Sequence, residues 1–329
     1  MTPALLFDRP LHRARLERAA ARLGEADFLR ARAAGDAVER LLAVTRSFPL
    51  ALELGARRGE FARALGAAAP SKIGTLIESD LSFRMLGRPS GARPGPRAVL
   101  DEERLPMAEG ALDLVLSLLS LHWTNDLVGT LIQIRRALKP DGLFLGAVLG
   151  GATLFELRQA LLEADAEADG GAGPRVSPFL DAFDGAALLQ RAGFALPVAD
   201  LDRVTVRYAH PLGLLRDLRA MGETGVLLER SRRPLSRARI ARMSALYRER
   251  FGLPDGRIPA TFDIISLSGW APAETQPKPL APGSARVSLK DALSAVRRER
   301  ERSPEAEAAF ETPGREGAQR GPRPRPEDA

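Results

Sequence analysis

Four acidic residues, each placed where an apolar run ends, carry the chemistry legible in this sequence. Glu53 closes the run Phe48-Pro-Leu-Ala-Leu-Glu-Leu and is followed by Gly55-Ala56-Arg57-Arg58-Gly59, a glycine-punctuated turn. Asp80 closes Ile73-Gly-Thr-Leu-Ile-Glu-Ser-Asp, 21 residues beyond Gly59. Asp101 and Glu102 follow a third short run at 97–100. A carboxylate at the Asp80 spacing accepts two hydrogen bonds from the vicinal hydroxyls of a ribose. An acid after the third strand can accept one from an exocyclic adenine amine while a neighbouring apolar side chain packs on the ring. Blander readings stand beside these: glycine turns leave strands in folds that bind nothing there, and Asp80 could cap a helix starting near Ser82.

His122 is the candidate general base. It follows the fourth apolar run, where an acceptor would meet the ligand, and a neutral imidazole near its ordinary pKa can take a proton. A histidine packed beside Trp123 and bonded to backbone is the competing reading. Trp123 either walls a substrate pocket or fills the core. Ser120, Arg158 and Glu223 are weaker candidates, since each has an ordinary use as cap, ion-pair partner or backbone ligand. The chain has three histidines, His12, His122 and His210, and no cysteine. That removes disulfides, thiolate nucleophiles and cysteine-held metal or iron–sulfur sites, and no metal site is expected.

The elements that must position these residues follow from the hydrophobic pattern. Residues 48–54 and 112–118 are nearly continuous apolar runs, as parallel strands covered on both faces require. Further strands are expected at 73–80, 97–100, 143–149, 203–208 and 261–270, with Lys139-Pro-Asp-Gly142 as the turn feeding the fifth. Helices are expected at 27–45, 58–68, 127–138, 153–168, 185–192, 212–221 and 236–251; in the first, Phe28, Leu29, Val38, Leu41 and Leu42 share a face. The fold class is α/β: a seven-stranded, mostly parallel, doubly wound Rossmann-like sheet with helical lid insertions at about 152–180 and 209–258. In such sheets ligands lie at the carboxyl edge where strand order reverses, here between strands one and four.

With 329 residues, 45% hydrophobic and 27% charged, the chain can bury a large core. Its net charge of +6 comes from arginines interleaved with acids along helix faces, not from a basic stripe, so nucleic acid is not an expected partner. No apolar run is long enough to span a bilayer, and the start Met1-Thr2-Pro3 lacks a secretory pattern, so a cytoplasmic address is expected.

Taken in order, Glu53-x-Gly55, Asp80-Leu81-Ser82, Asp101-Glu102 with Leu105-Pro106, Asp113-Leu-Val and Arg136-Ala-Leu-Lys-Pro-Asp-Gly-Leu resemble a class I S-adenosylmethionine-dependent methyltransferase. Phe7-Asp8-Arg9, Asn125-Asp126-Leu127, Gly150-Gly151-x-Thr153-Leu154-x-Glu156, Ser177-Pro178-Phe179, Met221-Gly222-Glu223, Pro259-Ala260-Thr261 and Gly283-Ser284-Ala285 are similar to the mitochondrial complex I assembly factor 5 family and its bacterial relatives. The malonyl-carrier methyltransferases of biotin synthesis are more distant cousins. The resemblance implies S-adenosylmethionine as cofactor, with Glu53, Gly55 and Ala56 bordering its methionine part, Asp80 the ribose, and Asp101 with Glu102 the adenine. Gly59, Leu81 and Ser117 complete the cofactor-binding set. It implies a domain at 47–271 preceded by a helical segment at 1–46 and followed by a Pro/Arg-rich, largely disordered tail at 272–329. The activity implied is methyl transfer to a protein or small acyl substrate. The alternatives are an arginine-hydroxylase type of complex I assembly factor, with a complex I subunit as protein substrate, and a non-catalytic assembly chaperone. One departure stands out: the family's acid-Leu-Gly-x-Gly-x-Gly has Arg57 at its central glycine. An arginine there leaves the site open if its backbone is ordinary and its side chain points to solvent.

Overall fold

The two most apolar runs lie side by side at the centre of the sheet. β1 (Phe48–Leu54) pairs in parallel with β4 (Leu112–Leu118), setting Ala51 opposite Leu114 and Leu54 opposite Ser117. This is a computed structural model, and it describes residues 5–22, 24, 26–87, 95–169, 173–231, 234–277, 288 and 294. β2 (Ile73–Asp80) and β3 (Arg97–Val99) extend the parallel sheet on one side of β1, and β5 (Leu138–Leu149) extends it beyond β4. β7 (Ile258–Trp270) inserts antiparallel between β5 and β6 (Ala195–Tyr208), giving the order β3-β2-β1-β4-β5-β7-β6 in a seven-stranded sheet. Strand order reverses between β1 and β4, the ligand-binding edge of an open α/β sheet.

Every residue of β4 is buried, because both faces of the strand are covered and the register shift at Leu112/Leu114 turns Leu112 to the side of Val115. Leu114, Leu116 and Leu118 enter one core with α2 (Phe28–Ala43), α3 (Glu60–Ala68), α6 (Phe155–Asp169), α8 (Pro211–Met221) and α9 (Arg237–Phe251). Leu112 and Val115 enter a second, with α5 (Leu127–Ala137) and α7 (Ala182–Arg191). Burying each such side chain contributes about 1.5–3 kcal/mol relative to exposure, so the strand is held between two apolar layers. Polar side chains at strand ends fix the register. Asp113 accepts from the Leu50 N–H and from Lys139 Nζ, both at 2.9 Å, tying β1, β4 and β5 together. Glu156 accepts from Thr261 Oγ1 at 2.6 Å and docks α6 on β7.

The structure departs from the sequence reading in four places. The Lys139-Pro-Asp-Gly142 segment is part of β5: pairing shifts from Leu112 opposite Leu138 to Leu114 opposite Leu143, a bulge that absorbs Asp141 at φ 62°. β6 starts at Ala195, well before 203, because an edge strand can carry Pro197 and alternate with solvent. Leu42 is 48% exposed and lies off the apolar face of α2. A further helix, α1 (Arg9–Ala19), precedes α2, started by Asp8 accepting from the Leu11 N–H at 3.0 Å with Pro10 in the first turn. The Asn125 amide oxygen accepts from Leu6 and Phe7 N–H groups at 2.8 and 2.7 Å, which holds the start of α1 beside the β4 exit. Residues Met1–Gln276 form one compact unit and Pro277–Ala329 another. The expected tail lies almost wholly outside the described residues.

Candidate functional site at the carboxyl edge of the sheet

After Leu54 the chain turns through Gly55 at φ 70°, where a Cβ would lie 2.5 Å from Ser120 Oγ. Both the conformation and the space demand glycine. Arg30, from α2, donates to the Gly55 carbonyl at 2.7 Å, to the Leu118 carbonyl and to Glu60 at 3.3 Å. It satisfies carbonyls that the sheet no longer pairs and so fixes the exits of β1 and β4 together. Ser117 Oγ adds a bond to the Leu54 carbonyl at 3.3 Å, Ala56 is fully buried, and Gly59 at φ 72° opens α3.

Glu53 is wholly buried, and neither of its carboxylate oxygens has a hydrogen-bond partner among the described residues. Burial pushes its pKa up to about 8 against the pull of Arg30, with Glu78, Glu60 and Asp80 adding to the rise. Glu53 is therefore largely protonated at neutral pH.

Asp80 is already engaged. Its Oδ2 accepts from Arg57 Nη1 at 2.9 Å and from the Arg57 N–H at 3.2 Å, while Oδ1 accepts from the Ser82 N–H at 2.9 Å. Arg57 does not point to solvent: it is 1% exposed, its φ is 52°, and its Nη2 has no partner among the described residues. Burial opposes the charge on Arg57, but Asp80, Glu223 and Glu102 outweigh it and raise its pKa. Leu81, also buried, follows directly.

Asp101 and Glu102 are likewise paired, with a residue of α1. Arg9 Nη2 donates to Asp101 Oδ1 at 2.6 Å and to Glu102 Oε2. Ser120 Oγ donates to Glu102 Oε1 at 2.6 Å, and that oxygen would lie 3.9 Å from a Cβ on Gly55. Glu102 therefore reaches the same turn as Glu53 and Arg57. His12, one turn beyond Arg9, stacks 5.2 Å from Trp123 with both ring nitrogens unpartnered. Burial, then Arg57 and Arg9, hold its pKa well below the ordinary value, so it is neutral.

His122 and Trp123 form a single 3₁₀ turn after β4 and converge on Glu223, which follows the glycine that ends α8. Glu223 Oε2 is 3.1 Å from His122 Nε2 and accepts from Trp123 Nε1 at 2.8 Å. Burial would raise the Glu223 pKa, but His122, Arg57 and the Trp123 bond bring it below the usual carboxylate value. An ionised Glu223 can only accept, so Nε2 carries the hydrogen of this contact, an assignment made from the network. The other ring nitrogen, Nδ1, has no partner among the described residues. Trp123 and Glu223 also line a cavity of about 450 Å³ whose other walls come from α1, α2, β5, α6, α8, α9, β7 and the loops around 174–179, 224–231 and 234–235. Of the weaker candidates, Ser120 serves Glu102, and Arg158 donates to the Ser177 carbonyl at 3.0 Å. Among the described residues no group of three or more His, Asp or Glu side chains could hold a metal ion.

Arg9, Arg30 and His12 escaped the sequence reading. Lone basic residues on arginine-rich helices carry no spacing signal, although Phe7-Asp8-Arg9 stood among the family-like motifs. The residues at the edge fit S-adenosylmethionine at the Gly55 turn and at Glu53, whose unpaired buried oxygens are suited to an ammonium group. At Asp80, where the resemblance implies the ribose, the fit requires Arg57 to leave.

Residues 52–146 match the methyltransferase domain family, making this an S-adenosylmethionine-dependent methyltransferase-like domain. The fold is shared with a candidate methyltransferase (BH2331) of Bacillus halodurans, at a TM-score of 0.50 and 15% identity over 73% of this chain and 99% of that one. A malonyl-[acyl-carrier protein] O-methyltransferase of Laribacter hongkongensis is 34% identical over 83% of this chain and 93% of that protein. Higher identity is found to proteins named arginine-hydroxylase NDUFAF5, mitochondrial: 40% in Danio rerio, over 87% of this chain and 89% of that protein, and 40% in Homo sapiens, over 86% and 82%. Within the class I methyltransferase fold, the chain belongs to the NDUFAF5 family.

Proposed function

We propose that the protein is a class I S-adenosylmethionine-dependent methyltransferase acting on a protein or small acyl substrate. The observation that carries this reading is the juxtaposition of the acidic sheet edge with a cavity walled by Trp123 and Glu223. The bound cofactor supplies an activated methyl group, and transfer needs chiefly alignment of acceptor and methyl. Glu53, Gly55 and Ala56 would hold its methionine part, Asp80 and Leu81 its ribose, and Asp101 with Glu102 its adenine. Gly59 shapes the α3 N-terminus, and Ser117 braces the β1 exit. His122 Nδ1 takes the acceptor's proton while Glu223 holds the ring, and Trp123 walls the acceptor. A cytoplasmic address is part of this proposal. Among the described residues no helix is long and apolar enough to cross a membrane.

A second reading is favoured by the 40% identical relatives named arginine-hydroxylase: insertion of oxygen into an arginine of a complex I subunit, using an oxidant that these residues do not supply. The Arg57–Asp80 pair favours a third, an assembly chaperone that has given up the cofactor. Mass analysis of a co-expressed quinone-site subunit of complex I separates them. Gain of a methyl group supports the first reading, and gain of one oxygen supports the second. An unmodified partner together with no S-adenosylmethionine binding by calorimetry leaves the third.

A further inference from the structure

The cavity beside Trp123 has apolar walls and an imbalance of charge. Leu149, Leu157, Leu161, Leu218, Met221 and Phe262 line it, a surface suited to hydrocarbon, and about 450 Å³ is the size of a small-molecule pocket. Four arginines, Arg15, Arg175, Arg219 and Arg230, line it against one acid, Glu223. Glu223 is taken by His122 and Trp123, Arg175 pairs with Asp165 at 2.5 Å, and Arg230 with Asp8 at 3.4 Å. That leaves two cations. Arg15 donates to neutral groups, Thr224 Oγ1 at 3.0 Å and the Gly225 carbonyl. Arg219, exposed on α8, has no carboxylate partner among the described residues.

Two further observations point to an anion. Burial first, then Arg230 and Arg18, lower the Arg15 pKa against the pull of Asp8, so two cations stand near it beside one acid. The buried Ser177 hydroxyl, also in the lining, has no partner among the described residues and can donate to an incoming oxygen. A neutral hydrocarbon would leave these groups unmatched, and a cationic head would be repelled.

We propose that this cavity binds a straight-chain fatty carboxylate, its chain among the leucines and its carboxylate against Arg15 and Arg219. The proposal goes beyond methyl transfer and does not depend on it, because the binding needs no cofactor.

The test is calorimetric titration of the full chain, free of S-adenosylmethionine, with straight-chain carboxylates from octanoate to palmitate. Dodecyltrimethylammonium below its micelle concentration serves as the control of similar tail and opposite charge. One carboxylate should bind per chain, and the ammonium compound should not. Arg219→Glu, an exposed position that leaves the fold intact, should weaken laurate binding about tenfold, and Arg219→Lys should restore most of it. Leu215→Trp, on the half-buried wall, should abolish binding with the circular dichroism spectrum unchanged. No heat with any carboxylate, equal affinity for the ammonium compound, or full affinity in Leu215→Trp would each overturn the proposal. Since S-adenosylmethionine is absent throughout, failure of the methyl-transfer reading leaves these outcomes untouched.

Discussion

Arg57 combines an unfavourable backbone with a buried ion pair. A left-handed conformation costs a non-glycine residue about 1–2 kcal/mol, while removing one partner of a buried pair costs about 3–5 kcal/mol. Arg57→Gly should therefore unfold at lower temperature than the parent without ligand, because buried Asp80 keeps its backbone donors but loses its charged partner. It should also bind S-adenosylmethionine about tenfold more tightly, since the ribose acid is free. Calorimetry decides the matter, and unchanged or weaker affinity would remove Asp80 from the ribose site. Glu53 gives a second prediction. Its folded pKa of about 8 lies above the ordinary 4.5, so its contribution is most favourable below pH about 4.5 and declines as pH rises through about 8. Glu53→Gln should match the parent in acid and become progressively more stable than it across that window, as followed by thermal melts at a series of pH values. Spacing alone located Glu53 and Asp80, because strand exits recur at intervals that apolar runs reveal. It could not reveal that Arg57 folds inward, since a side-chain rotamer and a distant carboxylate leave no periodic trace.

Among the elements, α1 is tied to the sheet edge at Asp101 and Glu102. The helix buries only His12, Leu16 and Ala19, so its apolar stripe is too thin to stand out from an Arg/Glu-rich stretch, and within the helical segment expected at 1–46 its bounds were not legible. Its grip is through polar groups, above all Arg9 on Asp101 and Glu102. Arg9→Ala should cost about 3 kcal/mol in urea denaturation, because Glu102 loses its buried partner. Hydrogen exchange should quicken over α1 rather than over β1 and β4, and a uniform change across the sheet would count against a local role. The central strands were legible because both their faces are apolar. The β5 bulge and the early part of β6 were not, since one depends on a proline–glycine segment staying in register and the other alternates with solvent.

For the whole molecule, the net charge of +6 sits on a surface where arginines meet acids across elements, as in Arg32 with Asp202, Arg40 with Asp200 and Arg242 with Glu167. Such exposed pairs are screened and contribute little. Arg242→Ala should leave the thermal midpoint unchanged within error, and a marked drop would mean that this pair clamps α9 to α6. Family membership could be read from motifs spread over the chain, because each marks a local turn or cap that the fold reuses. The reaction could not, since one sheet edge serves many acceptors. The buried Glu53 carboxyl has a further consequence. A ligand that brings an ammonium group to it must expel its proton, so association becomes a hydrogen-ion-releasing event at neutral pH. Affinity would climb with alkalinity until about pH 8 and then level off, and the heat of association would differ between buffers of different ionisation enthalpy.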